Sequence, residues 1–282
     1  MEVNKTRRIS PAQSFRIDPG HPNAVRWQRA VKTAELRGEP IAILLGRRMT
    51  LRGARVLDLG CGVGGTTVAL SHAGAKVTSI DIDPLKLRDP RFRKANARVA
   101  AASIPRLPFP CEAFDACIMQ DVLEHLRDHD AALREARRVL KPGGLMYLST
   151  PNRFSLVNFL ADPHWGLPGV SILSRKLVAA LIFKAFKREQ PREDFASLLS
   201  WPKIRTLLAR NGFTVELLQR ETTELFYLHP RMFVWSDFHL RLTKVLTALP
   251  SERWFSRVSE KPITLHTITP TYYLLCGKAD GT

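Results

Sequence analysis

Short apolar runs alternate with amphipathic segments between residues 55 and 150, and this alternation predicts an α/β sheet. The runs that are typical of strands cover residues 56–59, 76–81, 98–102, 114–120 and 145–150. Helical patterns lie between them at 66–73 and 130–140, and Lys141-Pro142-Gly143-Gly144 is expected to end the second helix. Strands separated by helices indicate βαβ units and a mostly parallel sheet with helices on both faces.

The regular pattern is interrupted twice after residue 150. Aromatic residues, prolines and glycines punctuate residues 151–200, and residues 221–268 are rich in Phe, Trp, His and Arg. A helix (201–211) and a strand (213–218) lie between the two interruptions, and a last strand covers 272–276. We therefore divide the chain into a helical N-terminal lead (1–50) and one domain (51–282) with cap insertions at about 151–200 and 221–268.

Helical spacing in the N-terminal lead predicts a helix over residues 25–36. Pro40 is then expected to open a short apolar helix, Ile41 to Leu45, because proline is tolerated in a first turn.

Composition changes the picture chiefly through charge. The 282 residues include 43 Lys and Arg but only 26 Asp and Glu, a net charge of +17 that suits anionic substrates, phosphates or acidic lipids. The alternative is that these are simply solvated basic faces. Apolar residues make up 45%, which excludes a disordered chain, and the four cysteines form no metal-binding pair. With neither a signal-like start nor a long apolar stretch, we expect a cytoplasmic protein.

The first candidate chemistry is the loop Asp58-Leu59-Gly60-Cys61-Gly62-Val63-Gly64-Gly65, which follows a strand and opens a helix. Its glycines also match the dinucleotide fingerprint, so an NAD-dependent oxidoreductase is one alternative. Asp58 argues against it, because a carboxylate there would repel a pyrophosphate and would suit an ammonium group. Asp81, at the end of the second strand, is placed to accept hydrogen bonds from ribose hydroxyls.

Five motifs in order resemble the class I S-adenosylmethionine-dependent methyltransferases, most closely the branch around ubiquinone and menaquinone biosynthesis. They are VLDLGCGVGG, SIDIDP, LPFPCEAFD, QDVLEHL and RRVLKPGGLMYLSTPNR. The resemblance implies a Rossmann-like sheet of seven strands with the last antiparallel. It also implies S-adenosyl-L-methionine as the cofactor, and a methyl transfer to an O, N or C atom of a small-molecule or lipid-like acceptor.

Site residues follow from the resemblance position by position. The implied cofactor-binding residues are Asp58, Gly60, Cys61, Gly62, Gly64, Asp81, Ile82, Ser103, Ile104, Gln120 and Asp121. Asp58 would orient the methionine ammonium, Asp81 would bind the ribose and Ile82 would lie against the adenine. The family usually has an acid for the adenine amino group where this chain has Ser103. Gln120 and Asp121 would face the sulfonium.

Two histidines are candidate catalytic bases, because a hydroxyl or ammonium acceptor must lose a proton. His125 follows the fourth strand, and the alternative is that it only ties neighbouring loops together. His164 stands beside Trp165 in the first insertion, and the alternative is that it forms a pocket wall. We expect no metal site, since methyl transfer needs neither a metal nor a covalent nucleophile.

The insertions are expected to build the acceptor site. The aromatic side chains that could wall an apolar pocket are Phe154, Phe159, His164, Trp165, Phe226, Tyr227, Phe233, Trp235 and Phe238. The basic-flanked segment 174–188 could dock peripherally on an anionic membrane, or it could pack as a cap helix on its own domain. A further alternative is a non-catalytic Rossmann-like protein that binds an anionic partner. We do not expect nucleic acid to be that partner, since no basic-aromatic RNA motif is present.

Overall fold

The computed structural model describes residues 17, 20, 23–186, 195–233, 257 and 259–279. In this part of the chain seven strands form one sheet in the order β3-β2-β1-β4-β5-β7-β6. The strands are β1 Arg55–Leu59, β2 Lys76–Asp81, β3 Arg98–Ala101, β4 Phe114–Gln120, β5 Leu140–Pro151, β6 Phe213–Leu217 and β7 Thr271–Lys278. The first five strands pair in parallel, whereas β7 is antiparallel to both β5 and β6. This confirms the predicted sheet.

The helices of the described residues connect the strands and cover the two faces of the sheet. They are α1 Ala24–Lys32, α2 Ala34–Gly46, α3 Gly65–His72, α4 Pro90–Lys94, α5 His129–Val139, α6 Leu156–Leu160, α7 Arg175–Ala179, α8 Trp201–Arg210, α9 Gln219–Leu228 and α10 Pro262–Thr267. Short single turns at Lys86–Arg88, Leu123–His125, Val170–Ile172 and Pro230–Met232 join them.

Two apolar cores lie on opposite faces of the sheet. One contains Leu133 of α5 and Leu208 of α8, packed against strand residues such as Leu148. The other contains Ile41 and Leu44 of α2, packed with residues of α3 and α9. Because both faces are covered, the carboxyl edge of the parallel strands is the natural place for a site.

The N-terminal lead differs from its predicted form. The predicted helix over 25–36 is two helices that meet at Thr33, and Pro40 lies inside α2 instead of opening a new helix. Gly38 explains why α2 lies where it does, because a Cβ there would come within 2.7 Å of the Cα of Thr66 in α3. This close approach of backbones brings α2 to the carboxyl edge of the sheet.

Strand β5 also begins earlier than predicted. The Lys141-Pro142-Gly143-Gly144 segment does end α5, but the chain is already paired with β4 at Leu140, opposite Phe114. The register then shifts, so that Leu145 pairs with Ala116. The four residues between them therefore form an irregularity within the strand, in which Gly143 adopts a positive φ of 69°.

A third, small core lies in the first insertion. Trp165, Val178, Ile182 and Phe195 are buried there together. The predicted single helix over 174–188 is α7 followed by a π-helical turn, Ala180–Ala185, and its residues Lys187 and Arg188 lie outside the described residues. Val178 and Ile182 face this core, which favours the packed cap over a wholly membrane-facing helix. None of the helices in the described ranges is both long and apolar enough to cross a bilayer.

Candidate active site

The glycine loop joins β1 to α3 and is held against the end of β2. The Gly60 and Cys61 amides donate to the Ile80 carbonyl at 2.8 and 2.9 Å, and the Gly62 amide donates to Asp81 Oδ2 at 2.9 Å. The loop is therefore hydrogen-bonded to the neighbouring strand on both sides of Cys61. Burial raises the pKa of the Cys61 thiol, which keeps it protonated.

The glycines of this loop serve different purposes. A Cβ on Gly60 would come within 2.7 Å of Val122, and one on Gly64 would come within 2.7 Å of Phe92. A Cβ on Gly62 would meet nothing within 4 Å, although its φ of +56° is one that side chains disfavour. Gly60 and Gly64 thus permit internal packing, whereas Gly62 presents bare backbone to an open space in which a ligand can lie.

Asp58 lies beneath this loop as a buried acid. Its carboxylate accepts a hydrogen bond from the Thr67 hydroxyl at 2.7 Å, and Thr67 is itself 2.8 Å from the Ser79 hydroxyl. Burial, together with the nearby charge of Asp81, raises the pKa of Asp58 to about 7. A cation placed beside Asp58 would favour its ionised form, as expected for a group that orients an ammonium.

Asp81 ends β2 with both carboxylate oxygens engaged by backbone. Oδ2 accepts from the Gly62 amide and Oδ1 accepts from the Asp83 amide at 2.9 Å, while Lys86 Nζ lies 3.6 Å from Oδ1. Each oxygen retains a second lone pair for a hydroxyl donor. The Ile82 side chain beside it is 68% exposed, which leaves an apolar surface for a flat ring.

The two positions proposed for the adenine end differ from each other. Ser103 is exposed, and its carbonyl accepts from the Arg106 amide at 3.0 Å. The Ile104 side chain is buried in the core beneath the sheet edge, so any contact of this residue with a cofactor would be through its backbone.

Gln120 and Asp121 lie at the carboxyl end of β4. Gln120 Oε1 accepts from the Thr66 hydroxyl at 2.6 Å. Asp121 has a φ of +52°, its Oδ1 accepts from the Ser149 hydroxyl at 2.9 Å, and its Oδ2 accepts from Arg37 at 2.8 Å. Strain of this kind often marks functional sites. Arg37 belongs to α2, and no motif in the sequence singles it out.

His125 and His164 lie together, although 39 positions separate them in the chain. Their ring centroids are 5.0 Å apart with the planes nearly perpendicular. Glu124, which sequence reasoning missed as a site residue, is fully buried between them and Thr150: Oε2 accepts from the Thr150 hydroxyl at 2.9 Å and Oε1 is 3.9 Å from His164 Nε2. Burial and the charge of Asp121 raise the pKa of Glu124 to about 8.

The same three side chains form a donor set. One ligand atom from each of Glu124, His125 and His164 lies within 4.8 Å of the others, and carboxylate with imidazole is a set that divalent cations accept. The expectation that the protein needs no metal therefore stays a prediction, and the chelation experiment described below tests it.

The structure separates the aromatic side chains that were expected to wall an acceptor pocket. Trp165 is buried in the small cap core, whereas Phe154 and Phe159 lie on the surface, 53% and 39% exposed. Phe233 does form an aromatic pair with Phe226, and another with Tyr273 of β7. Trp235 and Phe238 lie outside the described residues. Sequence alone cannot say which aromatic side chains of an insertion close a core and which face solvent.

Comparisons with known proteins agree with this geometry. Residues 57–148 match a family model described as a methyltransferase domain. The chain is 39% identical over 111 residues to a ubiquinone biosynthesis O-methyltransferase from Xanthomonas oryzae pv. oryzae, a match that covers 38% of this chain and 46% of that protein. The protein of the same name from Xylella fastidiosa is 37% identical over 117 residues, covering 39% and 46%. The chain thus spans about half the length of these curated relatives.

A solved structure extends the likeness of fold beyond the matched segment. Phosphoethanolamine N-methyltransferase 2 from Haemonchus contortus, in complex with S-adenosyl-L-methionine, superposes with a TM-score of 0.51 at 19% identity. The superposition covers 86% of this chain and 52% of that one.

The sheet order and the acid–glycine loop define the class as a Rossmann-like protein with a site at the carboxyl edge of its strands. Within that class, residues 57–148 are similar to a methyltransferase domain, both by the family model and by the O-methyltransferases that share 37–39% identity with this part of the chain.

Proposed function

We propose that the protein transfers a methyl group from S-adenosyl-L-methionine to an oxygen atom of a small, lipid-like acceptor. The observation that carries the proposal is the bare backbone at Gly62 between two acids, Asp58 and Asp81, inside the segment that matches the methyltransferase model. The open space at Gly62 and the acceptor lone pairs on Asp81 fit the cofactor's ribose, and the buried carboxyl of Asp58 fits its ammonium.

The cofactor supplies a methyl group that is already activated by the sulfonium. The protein's task is then to orient two partners, which is the largest available contribution to such a rate. Asp81 and Gly62 would hold the ribose, with Ile82 against the adenine. Gln120 and Asp121 would lie at the sulfonium end, next to the carboxyl ends of β4 and β5.

The histidine pair favours an oxygen acceptor over a carbon. A hydroxyl becomes a good nucleophile only as its proton leaves, and the rings of His125 and His164 lie 5.0 Å apart just beyond β4, next to the residues that we assign to the sulfonium end. The curated relatives are named O-methyltransferases of ubiquinone biosynthesis. We infer that this chain acts on an aromatic hydroxyl that carries an apolar body.

The alternatives have less support. A pyrophosphate at the glycine loop would approach the carboxylate of Asp58, which disfavours NAD. An inactive binding protein would not need a histidine pair beside the cofactor edge.

We also propose that the protein contacts an anionic membrane peripherally, but through α6 more than through the segment 174–188. The side chains of Phe154, Leu156, Val157 and Leu160 are each more than half exposed. The turn Val170–Ile172 and α10 lie beside them, because Arg153 donates to the Ile172 carbonyl and Ser155 donates to the Ile268 carbonyl.

Charge complements this apolar patch, which we define as residues 153–160 with Ile172 and Ile268. Arg153 lies within the patch, and Lys176 and Lys184 are exposed on the neighbouring cap segment. Exposed apolar side chains with basic neighbours are typical of surfaces that enter the headgroup region of an anionic bilayer.

Mass spectrometry of a lipid extract incubated with the protein and methyl-labelled S-adenosylmethionine tests the reaction. We expect label in aromatic lipids with a new methoxy group, and no label with the Gly62→Val variant. Butylcatechol, which offers a phenolic hydroxyl and a short apolar chain, serves as a defined probe acceptor. Absence of labelled product from both sources, with cofactor binding intact, would refute the catalytic proposal.

The metal expectation is tested with the same assay. Activity on butylcatechol should survive dialysis against a chelator, because cofactor and base suffice for the transfer. If activity is lost and Mg²⁺ or Zn²⁺ restores it, the protein needs a metal, and Glu124, His125 and His164 are the donor set that we would assign to it.

Sedimentation with phosphatidylglycerol vesicles tests the membrane contact. Leu156→Gln combined with Leu160→Gln should lower the bound fraction severalfold, whereas Leu228→Gln on α9, an exposed leucine of another helix, should not. Binding that is equal for all three proteins would remove α6 from the proposal.

A further inference from the structure

Helix α1 is joined to the loop that carries His164 by a cluster of hydrogen bonds. Arg26 Nη1 donates to the Asp162 carbonyl at 2.7 Å and to the Pro163 carbonyl at 2.8 Å. Asn23 Nδ2 donates to the His164 carbonyl at 3.0 Å. These contacts link positions 136 to 141 residues apart, so they are tertiary contacts and not part of a local turn.

The loop itself is tightly turned around a buried acid. Asp162 Oδ1 accepts from the His164 amide at 2.8 Å and from the Trp165 amide at 3.0 Å. Its exposed fraction is only 1%, and burial raises the pKa of its carboxyl. The charge of Arg26 acts in the opposite sense and favours the ionised acid.

The Arg26 side chain also fits closely against the far end of the loop. A Cβ on Gly166 would lie 2.6 Å from Arg26 Nη2, and Gly166 has a φ of +69°. Glycine is therefore required both for the turn and for the approach of the guanidinium. Burial lowers the pKa of Arg26, so the structure places a charge where desolvation opposes it.

A charged group that is partly buried against backbone carbonyls restricts those carbonyls strongly, since hydrogen bonds to ions are about twice as strong as neutral ones. The restricted residues are Asp162 and Pro163, which directly precede His164. The imidazole of His164 lies near Glu124 and His125, and its Nδ1 is 3.9 Å from Asp162 Oδ1. A displaced His164 ring would lose contacts with a bound acceptor, and such a loss appears in the KM for that acceptor.

We propose that Arg26 is a positioning residue that holds the Asp162–Gly166 loop so that the His164 ring faces Glu124 and His125 at the acceptor site. The inference rests on the proposed function of that site. The proposal gives the N-terminal lead a role in acceptor binding that no motif in its sequence predicts.

The first test compares steady-state kinetics of Arg26→Ala with those of Arg29→Ala, an exposed arginine on the same helix. Arg26→Ala should raise KM for butylcatechol about tenfold, with kcat changed less than threefold and S-adenosylmethionine affinity within twofold. Arg29→Ala should behave as the unmodified protein. Millimolar guanidinium should bring the raised KM of Arg26→Ala part of the way back to that of the unmodified protein. A simple loss of stability would not be rescued in this way.

A double-mutant cycle separates positioning from general destabilisation. If Arg26 acts through His164, then Arg26→Ala should have little further effect on KM in a His164→Ala background. Full additivity of the two effects, or unchanged kinetics in Arg26→Ala, would overturn the proposal. Arg26→Lys serves as the second variant, since it keeps the charge should the alanine variant fold poorly.

A readout without turnover keeps this inference separate from the proposed activity. In histidine-labelled protein, the ring signals of His164 and His125 should shift in Arg26→Ala but not in Arg29→Ala. If the unmodified protein shows no methyl transfer yet these shifts occur, the positioning role stands and the proposed function fails. If neither ring signal moves, the positioning role is wrong whatever the activity.

Discussion

The side of the site that we assign to the cofactor and the side that we assign to the acceptor are held in different ways. The cofactor side is held by backbone hydrogen bonds: the Gly60 and Cys61 amides donate to a β2 carbonyl, and the Asp81 carboxylate is oriented by the Gly62 and Asp83 amides. The acceptor side is the histidine pair, which is held by side-chain contacts with Glu124 and by the hydrogen bonds from α1 to the first insertion. A change on the first side should therefore affect binding of the cofactor, and one on the second should affect turnover or acceptor binding.

The largest effect is expected at Gly62. Gly62→Val would force a β-branched side chain into a left-handed conformation and into the space proposed for the cofactor, and we expect affinity for S-adenosylmethionine to fall at least about 100-fold. Calorimetry on the folded variant provides the measurement.

Gly143→Val is the matched control, because Gly143 also has a positive φ with open space around it but lies in the β5 irregularity. Both variants carry a comparable backbone strain of about 1–3 kcal/mol. Equal loss of cofactor affinity in the two would mean that strain, and not contact, explains the Gly62 effect, and the division into two sides would lose its main support.

The next largest effect is expected at the histidine pair. Here the two residues of the acceptor side should differ, one affecting turnover and the other acceptor binding. If His125 is the base, His125→Ala should lower kcat by about 100-fold with cofactor affinity nearly intact. His164→Ala should mainly raise acceptor KM, because it removes contacts common to ground and transition states. The pH–rate profile measures the difference, since only His125→Ala should abolish its acid limb. An unchanged profile in both variants would mean that neither His125 nor His164 acts as the base.

Asp81 should give a smaller but clear effect on the cofactor side. Each hydrogen bond between its charge and a ribose hydroxyl is worth about 1.5–3 kcal/mol, so Asp81→Ala should weaken S-adenosylmethionine binding at least about tenfold. Asp83→Ala is the control, because its carboxylate accepts from the Leu85 amide within the same turn. Isothermal titration that shows equal affinity for both variants would contradict the ribose assignment.

The two sides also differ in how far the sequence could predict them. The sheet and the pairing of Gly62 with Asp81 were predictable, because these residues follow adjacent strands and lie 19 positions apart. The Arg37–Asp121 and Arg26–Asp162 contacts span 84 and 136 positions, and they depend on where α1 and α2 pack. No periodicity encodes that packing; it follows from close approaches such as the one at Gly38.

Glu124 shows the same difficulty at one residue. The sequence places it correctly after β4 and next to His125, yet nothing local indicates that it is buried against Thr150 and His164. Likewise, the aromatic pattern could not distinguish the buried Trp165 from the exposed Phe154. Burial of a side chain in an insertion is decided by partners that the chain supplies from elsewhere.

The smallest expected effect concerns Asp58, and it makes the cofactor side pH-dependent. Burial raises its pKa from 3.8 to about 7, so the folded protein retains a proton that the unfolded chain has already released. Stability contributed by this group is therefore present below about pH 4 and is lost as the pH rises towards 7. Binding of a cation has the opposite dependence, because only the ionised acid attracts the cofactor's ammonium.

Asp58→Asn keeps the size of the side chain but removes its titration, so it tests both pH dependences. We compare the free energy of unfolding in urea for the cofactor-free variant and the unmodified protein. The gain in the variant should be greater at pH 8 than at pH 5, because only the unmodified protein carries a buried charge at pH 8. Its affinity for S-adenosylmethionine should be lower about fivefold at pH 8, in line with about 1 kcal/mol for one hydrogen bond, and nearly equal at pH 5. Thr67→Val, which removes the hydroxyl that donates to Asp58, should raise the carboxyl pKa further and move both transitions to higher pH. If the affinity of the unmodified protein for S-adenosylmethionine does not change between pH 5 and pH 8, Asp58 does not bind the ammonium group. Cofactor binding would then depend on the backbone and Asp81.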